Sequence, residues 1–443
     1  MAPCPRTVIT PTRQRTAYGA LVAVLLVALV ILLENPMRAA SAGQSTVEAA
    51  PWVKPAIDGV LGLFRQKPVV ALGDAHGLAQ EEAFYGALVR DPRFAEEVGN
   101  VVVEFGGEAS QDIIDRYVAG ETVPLTELRR VWTETVGWIP GATSLGYVNF
   151  YASVRAANLK LPREHRIKVW LGDPKIDWSK TNSMRDIAPY LGQRDGNFFR
   201  IISDEILKKQ KKTLLIIGTG HLVALDLPGG PASLGNMLAQ AYPGALALVS
   251  PFTGYVEPEC NAKVVARAKG WPVPAIVGPV AGTWLKSELD LPGCNYPMSV
   301  IFIGPHTKTS ETGKAAMGPT PGVQWLGPDK PPPPDQKASR NMAVSGPPAG
   351  VHQLVPEKLP SPDEMLKAEK RMYSGTASDA ILYLGPPDAL TVSPIDPNIY
   401  LDPDYFQEEE RRLRCCTPFG ETLDWDQLLR NNPVVPKKFE IPH

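Results

Sequence analysis

The feature that most constrains the fold of this chain is a series of short, nearly continuous apolar runs separated by amphipathic stretches. Between about residues 51 and 304 the apolar runs cover residues 69–72, 101–103, 167–171, 214–217, 245–249 and 299–303. Strands that are covered by helices on both faces have this composition. The pattern therefore predicts an α/β fold with a mostly parallel central sheet flanked by helices.

Three of the intervening stretches have apolar residues at helical spacing, over residues 79–94, 150–161 and 198–209. The first is closed by Asp91 and Pro92, a pair that ends helices. No segment repeats with a period of 20–50 residues, which excludes a solenoid or a propeller.

Charge and apolar content narrow the class of protein further. The 443 residues contain 45 Lys and Arg against 47 Asp and Glu, a formal net charge of −2. Without a basic surplus, a nucleic-acid partner is not expected. A hydrophobic content of 44% is enough for a buried core, so wholesale disorder is excluded.

Proline is about twice as frequent as usual, with 45 residues in the chain. Twelve of them fall within residues 305–360, including the run Pro331–Pro334. This stretch is expected to be a flexible insertion or spacer, in preference to a ligand for a proline-binding domain. The apolar run 380–384 then predicts a strand that returns to the sheet.

The N-terminus determines the expected compartment. Three arginines precede the uncharged run 16–33, and Ala40-Ser41-Ala42 follows it, as in a secretory signal peptide over residues 1–42. The run is also just long enough to be an uncleaved membrane anchor, and a buried core helix is a third interpretation. Both the signal peptide and the anchor predict an extracytoplasmic location, periplasmic or secreted.

These observations predict four parts of the chain. They are a signal peptide or signal anchor over residues 1–42, an α/β domain over 43–304, a Pro-rich insertion over 305–360, and a C-terminal segment over 361–443 that completes the sheet. Four cysteines follow the first part, and none has the spacing of a zinc site. In an oxidising compartment we expect a structural disulfide between Cys260 and Cys294.

Acids and histidines follow four of the predicted strands at the point where each strand ends. They are Asp74 with His76, Glu104, Asp173, and His221, with glycine beside each group. Ligands of open α/β sheets bind outside the carboxyl ends of the strands, so we expect these side chains to share a site. Each motif alone also has a structural interpretation, as an ion-pair partner, a helix cap or a turn residue.

Two imidazoles and a carboxylate suit two kinds of chemistry. A histidine with a carboxylate partner can activate water as a general base. Alternatively, His76, Glu104 and His221 can bind a divalent metal ion and leave one position open. The chain has no G-x-S-x-G elbow and no cysteine at a strand end, which argues against a covalent nucleophile. The absence of G-x-G-x-x-G after the first strand argues against a dinucleotide.

Taken together, the motifs resemble those of the erythromycin-esterase-like, ChaN-like and Tiki superfamily over roughly residues 60–250. The resemblance rests on Leu72–His76, Val103-Glu104, Gly218–His221 and the R-x-x-N stretch at Arg155. It implies an α/β core in which His76 is the general base or a metal ligand. It also implies that Glu104 orients His76, activates water or binds metal, and that His221 is the second imidazole.

The resemblance has further implications for the site. It assigns Arg155 and Asp173 to substrate binding, and it places Asp74 where the superfamily usually has glutamate. Where the esterase-like proteins have an arginine after the first histidine, this chain has Tyr85. ChaN-like members are haem-binding lipoproteins, but Cys4 precedes the apolar run here, so the chain has no lipobox.

Aromatic residues near the predicted site are candidates for its walls. Trp132, Trp138 and Trp178 are each able to contact an apolar ligand, with core packing as the alternative. The sequence thus predicts a hydrolase of an ester, amide or peptide bond, acting on a small molecule or peptide with His- and Glu-activated water. A divalent metal or haem is the candidate cofactor. The alternatives are a haem-binding uptake protein of the cell envelope and a non-catalytic envelope protein.

Overall fold

The computed structural model describes residues 48–136, 144–223, 233–294, 296, 375 and 377–416. From Ala49 onward they belong to one compact unit. The predicted N-terminal segment, the Pro-rich insertion and the apolar run 299–303 lie outside the described residues. Within the described part, no helix is both long and apolar enough to cross a membrane.

The described residues form an eight-stranded mixed sheet with the order β1-β7-β8-β6-β2-β5-β3-β4. The strands are β1 (Trp52–Pro55), β2 (Val69–Asp74), β3 (Asn100–Gly107), β4 (Lys168–Asp173), β5 (Thr213–Gly218), β6 (Leu246–Pro251), β7 (Ala275–Gly278) and β8 (Ala380–Tyr383). From β4 to β8 in this order all neighbours are parallel. Only β7 and β1 run antiparallel to their neighbours. The predicted α/β fold with a mostly parallel sheet is confirmed.

Helices connect the strands. They are α1 (Ala56–Phe64), α2 (Ala79–Arg90), α3 (Pro92–Glu97), α4 (Gln111–Ala119), α5 (Leu125–Leu128), α6 (Arg130–Thr133), α7 (Leu145–Asn158), α8 (Met184–Ile201), α9 (Leu234–Ala241), α10 (Pro258–Arg267), α11 (Trp284–Glu288) and α12 (Pro403–Cys416). A π-helical segment, Ile202–Leu207, continues α8. Asp91 separates α2 from α3 and caps α3, because its carboxylate accepts from the Arg93 amide at 3.0 Å.

Helices cover both faces of the sheet, which is why its strands are apolar throughout. Successive side chains of a strand point to opposite faces. In β2, Val70 and Leu72 pack in the core that contains α2, α4 and α7. Val69 and Ala71 pack in a second core with residues of α8 and α9. Each fully buried side chain of this size contributes about 1.5–3 kcal/mol.

The C-terminal strand returns to the interior of the sheet, as the run 380–384 predicts. β8 lies between β6 and β7, with Val249 opposite Ala380 and Tyr383 opposite Ala275. β1 and β7, each four residues long, were not predicted from the sequence.

The expected disulfide between Cys260 and Cys294 is present and connects α10 to the segment after α11. A second disulfide, which was not predicted, joins the adjacent residues Cys415 and Cys416 at the end of α12.

Candidate functional site

The candidate site lies at the carboxyl ends of the four strands β2, β5, β3 and β4. These strands are adjacent in the sheet, and their register aligns their ends. Asp74 at the end of β2 lies opposite Gly218 at the end of β5. Asp173 at the end of β4 lies opposite Gly107 in β3. The sheet therefore brings the predicted acids and histidines to one edge.

Asp74 and His76 form a hydrogen-bonded pair at the end of β2. His76 Nδ1 lies 2.6 Å from Asp74 Oδ2, and the carboxylate is buried while the imidazole is partly exposed. Tyr85 donates its hydroxyl to Asp74 Oδ1 at 2.7 Å, and Tyr147 donates to Oδ2. Tyr85, which occupies the place of an expected arginine, thus helps to orient the acid. Asp74, and not Glu104, orients His76.

The charges around His76 favour its protonated form. Burial lowers the pKa of His76, but the negative charge of Glu104 and the hydrogen bond and charge of Asp74 outweigh it, so the pKa rises to about 9. The nearby Arg194 opposes this rise. His76 therefore becomes a free base only at alkaline pH.

Glu104 is buried, and its carboxylate is surrounded by three groups that donate a hydrogen bond or carry a positive charge. Its Oε2 accepts the Gly218 amide at 2.5 Å, its Oε1 accepts from Arg194 Nη2, and His221 Nε2 lies 3.6 Å from Oε1. Burial raises the pKa of Glu104, but Arg194, His76 and His221 together hold it well below the ordinary value. Glu104 is thus an anion that holds the site together and is a weak base.

Arg194, which the sequence analysis missed, lies at the centre of the site. Besides Glu104, its Nε donates to Asp173 Oδ1 at 2.8 Å, and its Nη1 lies 3.3 Å from His221 Nε2. A signal for this residue exists in the sequence. The buried side chains of α8 are Ile187, Arg194, Phe198 and Ile201, so Arg194 is a charged residue in an otherwise apolar helical stripe.

His221 has its own carboxylate partner. Its Nδ1 pairs with Asp195, the residue after Arg194 on α8, and this partner was also missed. Burial lowers the pKa of His221, but Asp195 and Glu104 outweigh it and raise the pKa to about 9. The site thus contains two Asp–His pairs on either side of Glu104.

The metal set predicted from the sequence consists of His76, Glu104 and His221. Among the residues that the structure describes, no three His, Cys, Asp or Glu side chains form a group that could hold a metal ion. The guanidinium of Arg194 contacts both Glu104 and His221. The metal set of His76, Glu104 and His221 therefore gains no support from the described residues and stays a prediction.

Two of the predicted substrate-binding residues have structural roles. Asp173 is fully buried and contacts Arg194 and the Val136 amide, so it positions Arg194 and does not face a substrate. Arg155 donates to the carbonyls of Gly120 and Glu121 at 2.8 and 2.6 Å and lies over the ring of Tyr117. Its guanidinium holds the turn after α4, and its assignment to substrate binding stays a prediction.

Two of the three tryptophans predicted to line the site are core residues. Trp132 is fully buried and donates to the Tyr405 hydroxyl at 3.1 Å. Trp178 is buried beneath α12, with the guanidinium of Arg412 over its ring at 4.7 Å. Neither forms the wall of the site. Trp138 lies outside the described residues.

Gly218 lies beside the Nε2 atom of His76. A Cβ atom at this position would lie 3.3 Å from His76 Nε2 and 3.4 Å from Glu104 Oε2, tighter than most such contacts. Because Asp74 occupies Nδ1, Nε2 is the nitrogen that is available for proton transfer. Any side chain at position 218 would therefore crowd His76 Nε2 and Glu104.

Comparison with known proteins adds little to this geometry. No protein-family model matches the chain, and no curated protein matches it. Among solved structures, one described as the structure of the type III effector HopBA1 matches with a TM-score of 0.31 and 13% identity, over 47% of this chain and 87% of that chain. A second solved structure, described as a crystal structure of bacterial protein toxins, matches with a TM-score of 0.29 and 16% identity. That match covers 45% of this chain, which spans only about a third (36%) of the toxin's length. At these TM-scores neither match supports a functional assignment.

Proposed function

We propose that this chain is an extracytoplasmic hydrolase that cleaves an ester, amide or peptide bond with water activated by His76. The observation that supports this most directly is the Asp74–His76 pair, in which Nδ1 lies 2.6 Å from the carboxylate and Nε2 is the other ring nitrogen, beside Gly218. An imidazole whose orientation is set by a carboxylate is a common general base of hydrolytic sites.

In the proposed reaction, neutral His76 takes a proton from water at Nε2 as the water oxygen attacks the carbonyl carbon of the substrate. The protonated imidazole then returns this proton to the leaving oxygen or nitrogen as the carbonyl re-forms. Asp74 keeps Nδ1 protonated, so the tautomer with a free Nε2 is favoured.

Glu104, Arg194 and His221 have supporting roles in this proposal. Glu104 remains an anion and stabilises the protonated form of His76 that follows proton transfer. Arg194 holds Glu104 and Asp173 in place, and the Asp195–His221 pair closes the far side of the site. The extracytoplasmic location rests on the N-terminal sequence, and the Cys260–Cys294 disulfide is consistent with an oxidising compartment.

The proposal is tested by turnover of ester and peptide libraries at pH 8.5–9. We expect His76→Gln to lower turnover by about 10²- to 10⁴-fold, with little change in thermal stability. The matched control is His165→Gln, an exposed histidine just before β4 at the opposite edge of the sheet, which should keep full activity. Equal activity of the His76 variant and the parent would refute the proposal. Absence of turnover together with a Soret band on adding haemin would favour the haem-binding alternative.

A further inference from the structure

The edge of the sheet opposite the candidate site contains the loops that lead into β2, β3, β4 and β5. Backbone hydrogen bonds align these entry points. The Lys168 amide donates to Gly99 O, the Thr213 amide to Pro68 O, and the Val69 amide to Ala245 O, at 2.9–3.1 Å. Side chains of these loops therefore share one surface, which is separated from the site by the length of the strands.

Basic residues are concentrated in these loops. We call this surface the basic edge, and it comprises residues 65–67, 159–168 and 208–212. Its cationic side chains are Arg65, Lys67, Lys160, Arg163, Arg166, Lys168, Lys208, Lys209, Lys211 and Lys212. Glu164 lies within it, and Glu96, Glu97, Asp115, Asp204 and Glu205 lie beside it. Lysines and arginines therefore outnumber the acids.

Part of this positive charge is not neutralised by the protein. Lys208 and Lys209 pair with the neighbouring Asp204 and Glu205 on the same helical segment. By contrast, Lys160, Arg163 and Lys211 are exposed and form no ion pair with another described residue. Next to them, the apolar side chain of Leu159 is 58% exposed.

The charge is asymmetric between the two edges. At the opposite edge, the acids Asp74, Glu104, Asp173 and Asp195 are largely balanced by cations. These cations are Arg194 and the protonated His76 and His221. The chain as a whole has a net charge of −2. A basic surface on an acidic protein produces a directional field toward a negatively charged partner. A negatively charged partner bound at the basic edge would leave the candidate site accessible, because the site lies at the other ends of the strands.

The N-terminal sequence gives an independent reason to expect a membrane partner. In the sequence, the apolar run 16–33 ends 19 residues before Trp52. Whether it is a cleaved signal or an anchor, that run directs the chain to a membrane.

We propose that the basic edge binds the anionic headgroups of a lipid bilayer. Lys160, Arg163, Lys211 and Lys212 contact the lipid phosphates, and Leu159 lies against the interfacial region. Each basic side chain near an anionic bilayer strengthens binding, and the attraction acts within a Debye length of the surface. The candidate site then faces away from the membrane, toward soluble substrates. This surface does not depend on the proposed hydrolytic activity.

The test is flotation with vesicles of phosphatidylcholine alone or mixed with phosphatidylglycerol. The chain beginning at Gly43 is used because residues from Ala49 onward form a compact unit of their own. We expect binding to the mixed vesicles only, and weaker binding in high salt. The variant with Lys160, Arg163, Lys211 and Lys212 all changed to Gln should bind about 1,000-fold more weakly.

A matched control changes four exposed cations outside the basic edge, Lys175, Lys180, Arg185 and Arg414, to Gln. This control should bind as the parent does, within about threefold. In the full chain embedded in mixed bilayers, the amides of residues 208–212 should exchange hydrogen more slowly than in neutral bilayers. Equal flotation of the two variants, or binding to neutral vesicles, would overturn the proposal. Tighter binding to a duplex oligonucleotide than to the vesicles would also overturn it, in favour of a nucleic-acid partner.

Discussion

Arg194 Nε donates to Asp173 Oδ1 at 2.8 Å, which joins helix α8 to the end of strand β4. The same guanidinium donates to Glu104 at the end of β3. Both acids are buried, and a buried carboxylate is strongly unfavourable unless it is paired and hydrogen-bonded. Arg194 is therefore the residue that allows two anions to lie side by side at this edge of the sheet.

Arg194→Met should lower the free energy of unfolding by about 3–5 kcal/mol, because it leaves Glu104 and Asp173 buried without a cation. Urea denaturation measures this. The matched control is Arg200→Met on the same helix, where Arg200 pairs with Glu108 at a half-exposed position. An exposed pair contributes about 0–1 kcal/mol. Equal losses in the two variants would show that Arg194 does not neutralise the acids.

Gly218→Ala should lower kcat/KM by about tenfold or more while leaving the fold intact. The added Cβ would come within 3.4 Å of both His76 Nε2 and Glu104 Oε2, and small displacements at a reacting group have large effects on rate. Steady-state kinetics and thermal melts on the same samples separate the two effects. Gly192→Ala on α8 is the control, since a Cβ there meets nothing within 4 Å. Parent-like kinetics of the Gly218 variant would place the reacting atoms elsewhere.

Much of this architecture was predictable because it depends on local patterns. Continuous apolar runs identified β2, β3, β4, β5, β6 and β8, and the polar residues that follow four of them identified Asp74, His76, Glu104 and His221. The carboxyl ends of parallel strands meet at one edge whatever the detailed strand order is. The grouping of residues from distant positions therefore followed from the fold class.

The remaining features depend on tertiary contacts that leave weak local signals. Arg194 and Asp195 lie within a helix, and only the structure shows that the helix packs across the ends of β3, β4 and β5. Spacing alone also left a metal site and a metal-free site open. The position of Arg194 against Glu104 and His221 could not be read from that spacing. Arg155 was assigned by its motif, yet its helix directs it to the carbonyls of a distant turn.

The rate of the proposed reaction should rise with pH and reach half of its maximum near pH 9. His76 must lose its proton to act as a base, and its pKa is about 9. Asp74→Asn removes a hydrogen bond and a charge that raise this pKa. The midpoint of kcat/KM against pH should therefore move to lower pH, while the plateau rate falls because His76 is oriented less well. A rate that decreases as pH rises through 9 would assign His76 the role of an acid instead.

Protein stability should decrease as pH rises from about 6.5 to 9. The pKa values of His76 and His221 are raised from 6.5 to about 9 in the folded protein, so the stabilisation is complete below pH 6.5 and is lost through pH 9. Glu82, whose buried carboxyl has its pKa raised to about 8, contributes in the same direction at lower pH. Thermal melts of the parent and of a His76→Gln, His221→Gln double variant should differ in slope between about pH 6.5 and 9. Parallel curves would contradict the two raised pKa values.

The two disulfides should differ sharply in their contribution to stability. Cys260 and Cys294 are 34 residues apart, so their bond closes a loop and restricts the unfolded chain. Replacing both with Ser should lower the free energy of unfolding by about 2–4 kcal/mol. Cys415 and Cys416 are adjacent and close no such loop. Replacing Cys415 and Cys416 with Ser is the matched control. If loop closure is the source of the stabilisation, this change should lower the free energy of unfolding by less than about 1 kcal/mol. Urea denaturation without reductant measures both variants, and a larger loss from the adjacent pair would mean that it stabilises the packing of α12.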